Sequence, residues 1–169
     1  MPKLVKNGAI VENDWQFLPK PEGDASEQSI PEGKVILPLK VWQAQKETLR
    51  DRRDLGVWLD NDETADQLGE EAKPLPLIGI HFPAFADGRG FSTARLLRER
   101  YGYTGEVRAL GYFLPEQACY LRRCGVNAFD FGVDRERFLE ATVEALDDFT
   151  EYYQASADQP MPLFRRRAS

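Results

Sequence analysis

Two cysteines and a single histidine are all that the 169 residues offer of the softer metal-ligating side chains. Cys119 and Cys124 stand five positions apart, which on a helix of about 3.6 residues per turn separates them by roughly 140°. They match neither a Cys-x-x-Cys redox pair nor a zinc-ligand pair. With His81 as the lone histidine, no metal site is predicted, and a four-cysteine iron–sulfur cluster exceeds the supply. The full G-x-G-x-x-G fingerprint of a nicotinamide or flavin cofactor is also missing, so no cofactor is read from the chain. No apolar run approaches the roughly 18 residues of a membrane span. The opening Met1-Pro2-Lys3-Leu4-Val5-Lys6-Asn7-Gly8 lacks the apolar stretch of a secretory leader, and a cytoplasmic location is the expectation. A basic surplus is absent too. The net charge of −6 weighs against nucleic acid and anionic membrane as partners.

What is present is the composition of an ordinary globular domain, long enough to bury a core without disulfides or metals. Leu4-Val5-Lys6 and Ala9-Ile10-Val11 flank Asn7-Gly8, the pair that supplies the positive φ angles of a type I′ turn, so residues 1–18 read as a hairpin arm. Trp15, Phe17 and Leu18 are expected to pin this arm to the body. Residues 19–34, rich in Pro, Gly, Ser and Glu without apolar periodicity, read as a loop or linker.

From residue 35 short apolar runs alternate with helical spacing. Strands are expected at 35–37, 56–59, 75–82, 107–110 and 127–131. Helices are expected from Trp42 through Leu49, from Ser92 to Tyr101, from Pro115 to Arg123 and onward from Asp134, with Gly102 and Gly125 as stops. The alternation predicts an α/β fold of about five mostly parallel strands with helical crossovers, plus the hairpin. Either a partial (β/α) barrel-like sheet or an open doubly wound sheet satisfies it, because five strands cannot close a barrel. Residues 35–153 form the single α/β domain on this reading, and 154–169 a flexible tail.

Charge is unevenly spread. Residues 76–124 carry seven basic and four acidic side chains, all seven basic ones are arginine, and no lysine follows Lys73. Arginine offers planar paired donors suited to oxyanions. The strand at 77–82 runs into Asp87-Gly88-Arg89-Gly90, with Ser92 or Thr93 placed to cap the next helix. Ligand sites of α/β folds lie at strand carboxyl ends, and a helix start favours an anion. Asp87, Gly88, Arg89, Gly90, Ser92, Arg95, Arg98 and Arg108 are therefore the candidate anion-binding residues, for a sulfur oxyanion or phosphate. A capped turn in which Asp87 pairs with Arg89 is the structural alternative. No catalytic residue is assigned. His81, inside an apolar run, reads as packed, and Cys124 as a buried, inert thiol.

At this segment the chain resembles a known bacterial family. The matching residues are Phe82-Pro83-x-Phe85-x-Asp87-Gly88-Arg89-Gly90-x-Ser92-x-Ala94-x-x-Leu97-Arg98, then Tyr103-x-Gly105-Glu106-x-Arg108-Ala109-x-Gly111 and Leu121-x-Arg123-Cys124-Gly125. The opening Lys3-Leu4-Val5-Lys6-Asn7-Gly8-Ala9-Ile10-Val11 and Asp14-Trp15 are similar as well. The family is of uncharacterised function, with a label pointing to an oxidoreductase involved in sulfite reduction, and its members are encoded near assimilatory sulfite reductase. Tyr112 departs from the family pattern, which usually has Asp there, although Glu116 keeps a negative charge nearby.

The resemblance implies a role in sulfate assimilation toward cysteine. Six-electron reduction of sulfite needs cofactors that side chains cannot replace. The expectation is therefore an accessory protein that docks on sulfite reductase or another sulfate-assimilation enzyme. The alternative is a small enzyme or sensor that binds an oxyanion or phosphometabolite in an arginine-lined strand-end pocket.

Overall fold

The structure, a computed structural model, describes residues 2–84 and 88–148. Asp87 and the expected tail at 154–169 lie outside them.

The hairpin forms as its turn chemistry demands. β1 (Lys3–Lys6) pairs antiparallel with β2 (Ala9–Glu12), and Asn7 and Gly8 take φ of +51° and +81°. A two-residue strand, β3 (Gln16–Phe17), follows. Then come β4 (Val35–Pro38), α1 (Leu39–Leu49), β5 (Leu55–Leu59), β6 (Leu77–Phe82), α2 (Arg89–Glu99), β7 (Glu106–Gly111), α3 (Ala118–Cys124), β8 (Ala128–Asp130) and α4 (Phe138–Asp148).

All eight strands belong to one mixed sheet in the order β2-β1-β8-β7-β6-β5-β4-β3. From β3 to β8 every neighbouring pair is parallel, while β1 joins β8 antiparallel through Val5 opposite Phe129. The expected count of about five strands plus a separate hairpin is therefore corrected to eight in a single sheet. β3 is too short to show periodicity, and the hairpin extends the sheet instead of standing apart. The open doubly wound alternative is corrected too. Parallel strands that follow chain order never reverse direction across the sheet, so there is no switch point and the helices stack on one face.

Chain length makes the sheet curl. Only residues 13–15 connect β2 at one edge to β3 at the other. Four residue steps reach at most about 14 Å, whereas eight flat strands would set their edges roughly 34 Å apart. The edges must approach one another, giving a half-barrel. Trp15, in that short link, packs against Ile36, Trp58, Leu77 and Leu110, which marks the concave face.

Alternation along the strands sorts the rest. Val57, Ile78, Ile80, Val107, Ala109 and Phe129 point the other way, into a core shared with Leu39, Ala94, Leu97, Leu121 and Leu139 of the four helices. Gly79 faces the concave side, where a β carbon would fall 2.7 Å from Leu110 Cδ1 and 3.0 Å from Trp58 Cβ. The missing side chain makes room for those two.

The loop at 19–34 is anchored in several places. Gln45 Nε2 donates to the carbonyls of Ala25 and Gln28, and Arg52 donates to those of Pro31 and Gly33.

Candidate functional site

The concave face carries polar groups at graded depth. Deep inside, Arg108 is 2% exposed, and its Nε and Nη2 both donate to Glu106 Oε1 at 3.1 and 2.9 Å. Its third nitrogen, Nη1, donates to Asn13 Oδ1, and Asn13 Nδ2 donates to Asp130 Oδ2. This buried network fastens the link between the sheet edges to β7 and β8.

At the carboxyl ends of the strands, the mouth of the half-barrel, a second group assembles. Asp60 follows the last residue of β5, and His81 is the penultimate residue of β6. Equal parity turns both toward the concave side, and His81 Nδ1 stands 3.1 Å from Asp60 Oδ1. Lys20 Nζ lies 2.7 Å from the other carboxylate oxygen, and the backbone N–H of Asn61 donates to Oδ1 at 2.8 Å. Burial works to raise the Asp60 pKa, but the bonds from Lys20, His81 and Asn61 outweigh it and hold the value at about 2. Asp60 is therefore a carboxylate that can only accept, so the Nδ1 of His81 carries the proton.

Trp58 braces the pair from the apolar side. Its ring meets His81 edge-on at 5.5 Å, and its Nε1 donates to the carbonyl of Leu18. The other edge of the imidazole abuts Gly111, where φ is +99°. A β carbon on Gly111 would sit 3.1 Å from His81 Nε2 and 2.6 Å from the Phe82 carbonyl oxygen, so only glycine fits without strain. The carbonyl of Gly111 accepts a bond from Arg135 Nη2. Arg135 also covers the Tyr112 ring at 4.5 Å. Its remaining terminal nitrogen, Nη1, is buried and has no hydrogen-bond partner among the described residues.

The sequence-derived anion residues divide. Gly88 is the N-cap of α2, and Arg89 begins the helix, three residues before the expected start. Ser92 consequently lies exposed in the first turn instead of capping it, and Thr93 Oγ1 bonds back to the Arg89 carbonyl. Arg89 Nη1 donates to the Asn61 carbonyl at 3.4 Å, which places it beside the mouth. Gly90 is buried because a β carbon would fall 2.5 Å from the Phe82 ring, a helix-to-sheet contact. Arg95 is half-buried one and a half turns on. Arg98 lies roughly 13 Å from Arg89 along the helix. Its donors are used on the carbonyls of Gly125, Tyr103 and Gly105. Arg108 is on the opposite face of the sheet from α2. Gly88, Arg89, Gly90 and Ser92 are thus brought together, while Arg98 and Arg108 are led elsewhere.

Lys20, Asp60, His81 and Arg135 were not among the predicted residues. Polar side chains at the concave-facing ends of two successive strands were the available signal for Asp60 and His81. Nothing local marks Lys20 or Arg135. Among the described residues, no three His, Cys, Asp or Glu side chains gather as metal ligands. Cys119 donates its S–H to the Ala145 carbonyl, and Cys124 is buried.

Clefts open at both ends of the sheet. One of about 220 Å³ opens beside Lys20, Pro38 and Lys40, at the carboxyl end of β4. Two larger ones, of about 460 and 690 Å³, lie at the amino ends of the strands, the first lined by Trp42 and Arg53 and the second by Arg98 and Asn127. Residues 56–164, nearly two thirds of the chain, match a family described as "Bacterial protein of unknown function (DUF934)". No curated protein matches.

Proposed function

The chain belongs to this bacterial family, and on that premise we propose that it serves assimilatory sulfite reduction as an accessory protein that docks on sulfite reductase. The motif residues from Phe82 to Arg98 and from Tyr103 to Gly111 support the pathway through their resemblance. The observation that carries docking is the composition of the strand-carboxyl rim. Tyr112, directly after β7, is 53% exposed, and Val133, just beyond β8, is 68% exposed. Tyr120, in the first turn of α3, is exposed beside Phe91 of α2, with ring centroids 5.1 Å apart. Arg135 covers the Tyr112 ring at 4.5 Å, and Arg89 stands two residues before Phe91 at the start of α2. Exposed tyrosine with arginine is the composition enriched in protein interfaces and in their energetic centres.

The test is affinity capture of the tagged protein from sulfate-grown cells. Wild type should recover sulfite reductase, and Tyr112→Asp with Tyr120→Asp should not, while both proteins melt alike. Cells lacking the protein should grow on cysteine and fail on sulfate. Capture of no sulfate-assimilation enzyme, together with normal growth on sulfate, overturns the proposal.

A second reading, binding of a small oxyanion at the strand ends, is favoured by the buried Arg135 Nη1 donor. Burying such a group without an acceptor is costly. Saturable binding of phosphate or sulfite, weakened by Arg135→Gln, is its test.

A further inference from the structure

We propose that the amino-end mouth of the half-barrel binds a free amino acid, with Glu106 receiving the ammonium at depth and Arg53 and Asn127 receiving the carboxylate at the rim. This site goes beyond the docking rim and the oxyanion reading, both of which lie at the opposite ends of the strands. A cleft of about 420 Å³ opens here, within the roughly 300–1,000 Å³ of small-ligand sites. It is built where the strands begin. Asp54, Pro76 and Asn127 each immediately precede a parallel strand, and Glu106 is the first residue of β7. Trp15 separates it from the apolar cluster of the concave face.

Pairing inside the protein uses up most of the charge around this cleft. Asp54 takes two bonds from Arg52, and Lys34 is held by Asp14 at 2.6 Å. Glu106 differs. Both Arg108 bonds go to its Oε1, while among the described residues its Oε2 meets only the Lys6 ammonium, at 3.5 Å. That exceeds the roughly 2.7–3.2 Å of a hydrogen bond. The Glu106 side chain is 7% exposed and lines the cleft, so a carboxylate oxygen with acceptor capacity to spare faces the ligand space from its depth. At the rim, Arg53 is exposed and has no ion pair among the described residues. Asn127 Oδ1 accepts from the Val107 N–H at 2.9 Å, which fixes the amide and leaves Nδ2 as a donor. A purely anionic ligand meets Glu106, and a purely cationic one meets Arg53 and Lys6. A ligand with both charges satisfies both ends. Its ammonium gives Oε2 the hydrogen bond that Lys6 does not supply, and its carboxylate takes the guanidinium fork of Arg53 and the Asn127 amide. Trp15 and Pro76 offer apolar surface to its side chain.

Calorimetric titration of the full chain with L-leucine and its derivatives decides the matter. Leucine should bind saturably. N-acetyl-L-leucine lacks the ammonium and L-leucinamide lacks the carboxylate, and each should bind at least about tenfold more weakly. Altering the ligand replaces Glu106→Gln, which is expected to destabilise the fold by unpairing Arg108. Arg53→Gln should weaken leucine several-fold and affect leucinamide less. Asn127→Asp keeps the acceptor for the Val107 N–H but sets a negative charge against the carboxylate, so it should weaken leucine and strengthen leucinamide. Circular dichroism confirms that each variant is folded. Absence of leucine binding up to about 10 mM overturns the site. Equal affinity for leucine and N-acetyl-L-leucine overturns the role of Glu106. Unchanged leucine affinity in folded Arg53→Gln and Asn127→Asp overturns the placement of the ligand in this cleft.

Discussion

Arg98→Ala separates structural arginine from ligand-binding arginine on the same helix. The Arg98 guanidinium donates to the carbonyls of Gly125, Tyr103 and Gly105 at 2.8–2.9 Å and stacks over Tyr103 at 5.6 Å. It therefore ties the end of α3 and the turn before β7 to α2. A hydrogen bond from a charged group contributes about 1.5–3 kcal/mol, and a buried acceptor left unpaired costs a similar amount. The three share one cation and are not additive, so the expected loss is roughly 3–5 kcal/mol. At about 2–4 °C per kcal/mol for a chain of this size, the melting temperature should fall by roughly 6–20 °C. Urea midpoints with an unchanged m value would assign the loss to stability. Arg98→Lys keeps the charge but not the fork, and should recover only part. Arg89→Ala, at an exposed position on the first turn of α2, should change stability by no more than about 0.5 kcal/mol. A folded Arg98→Ala protein melting within about 2 °C of wild type would refute the bracing role.

Three further perturbations probe the concave face. The Asp60 pKa is depressed to about 2, so its contribution is present above the unfolded value and lost as pH falls from about 4 toward 2. Asp60→Asn should remove up to about 2 kcal/mol at neutral pH and flatten that acid limb in pH-dependent denaturation. Glu106→Gln takes the charge partner from the buried Arg108 guanidinium and should cost about 3–5 kcal/mol, measured by denaturant titration. Gly111→Ala forces a β carbon to 2.6 Å from the Phe82 carbonyl at a φ of +99°. It should destabilise by about 1–3 kcal/mol in thermal melts.

Local chemistry made part of this legible. Asn7-Gly8 specified its turn, and the apolar runs at 77–82, 107–110 and 127–131 gave three parallel strands that pair as expected. Two residues at 16–17 carry no period, so β3 exists only because β4 offers an edge. The start of α2 escaped because Ser92 looks like a cap, whereas Gly88 opens the helix without a side-chain bond. Spacing correctly grouped Arg95 and Arg98 on one helix. It could not foresee that three carbonyls from distant segments would claim Arg98, nor that strand parity would turn Arg108 to the face away from α2. His81 was read as packed because its neighbours are apolar. Its polar contact, Asp60, is brought to it by strand pairing alone.

The three-residue link between the sheet edges governs the order in which the molecule can be completed during synthesis. Val5 pairs with Phe129, so the hairpin has no sheet to join until β8 has been made. At about 5–20 residues per second, that wait lasts roughly 6–26 s. Until then β4 to β7 can stack successively with their helices, but the growing edge stays bare and the concave apolar cluster lacks Trp15. Arrival of β8 lets one docking event cover that edge, draw residues 13–15 across the hollow and seat Trp15 on Ile36, Trp58, Leu77 and Leu110. Edge protection and filling of the concave face thus come together in one late step. A chain halted before β8 presents an uncovered parallel edge beside an unfilled apolar trough, the combination that chaperones and proteases recognise.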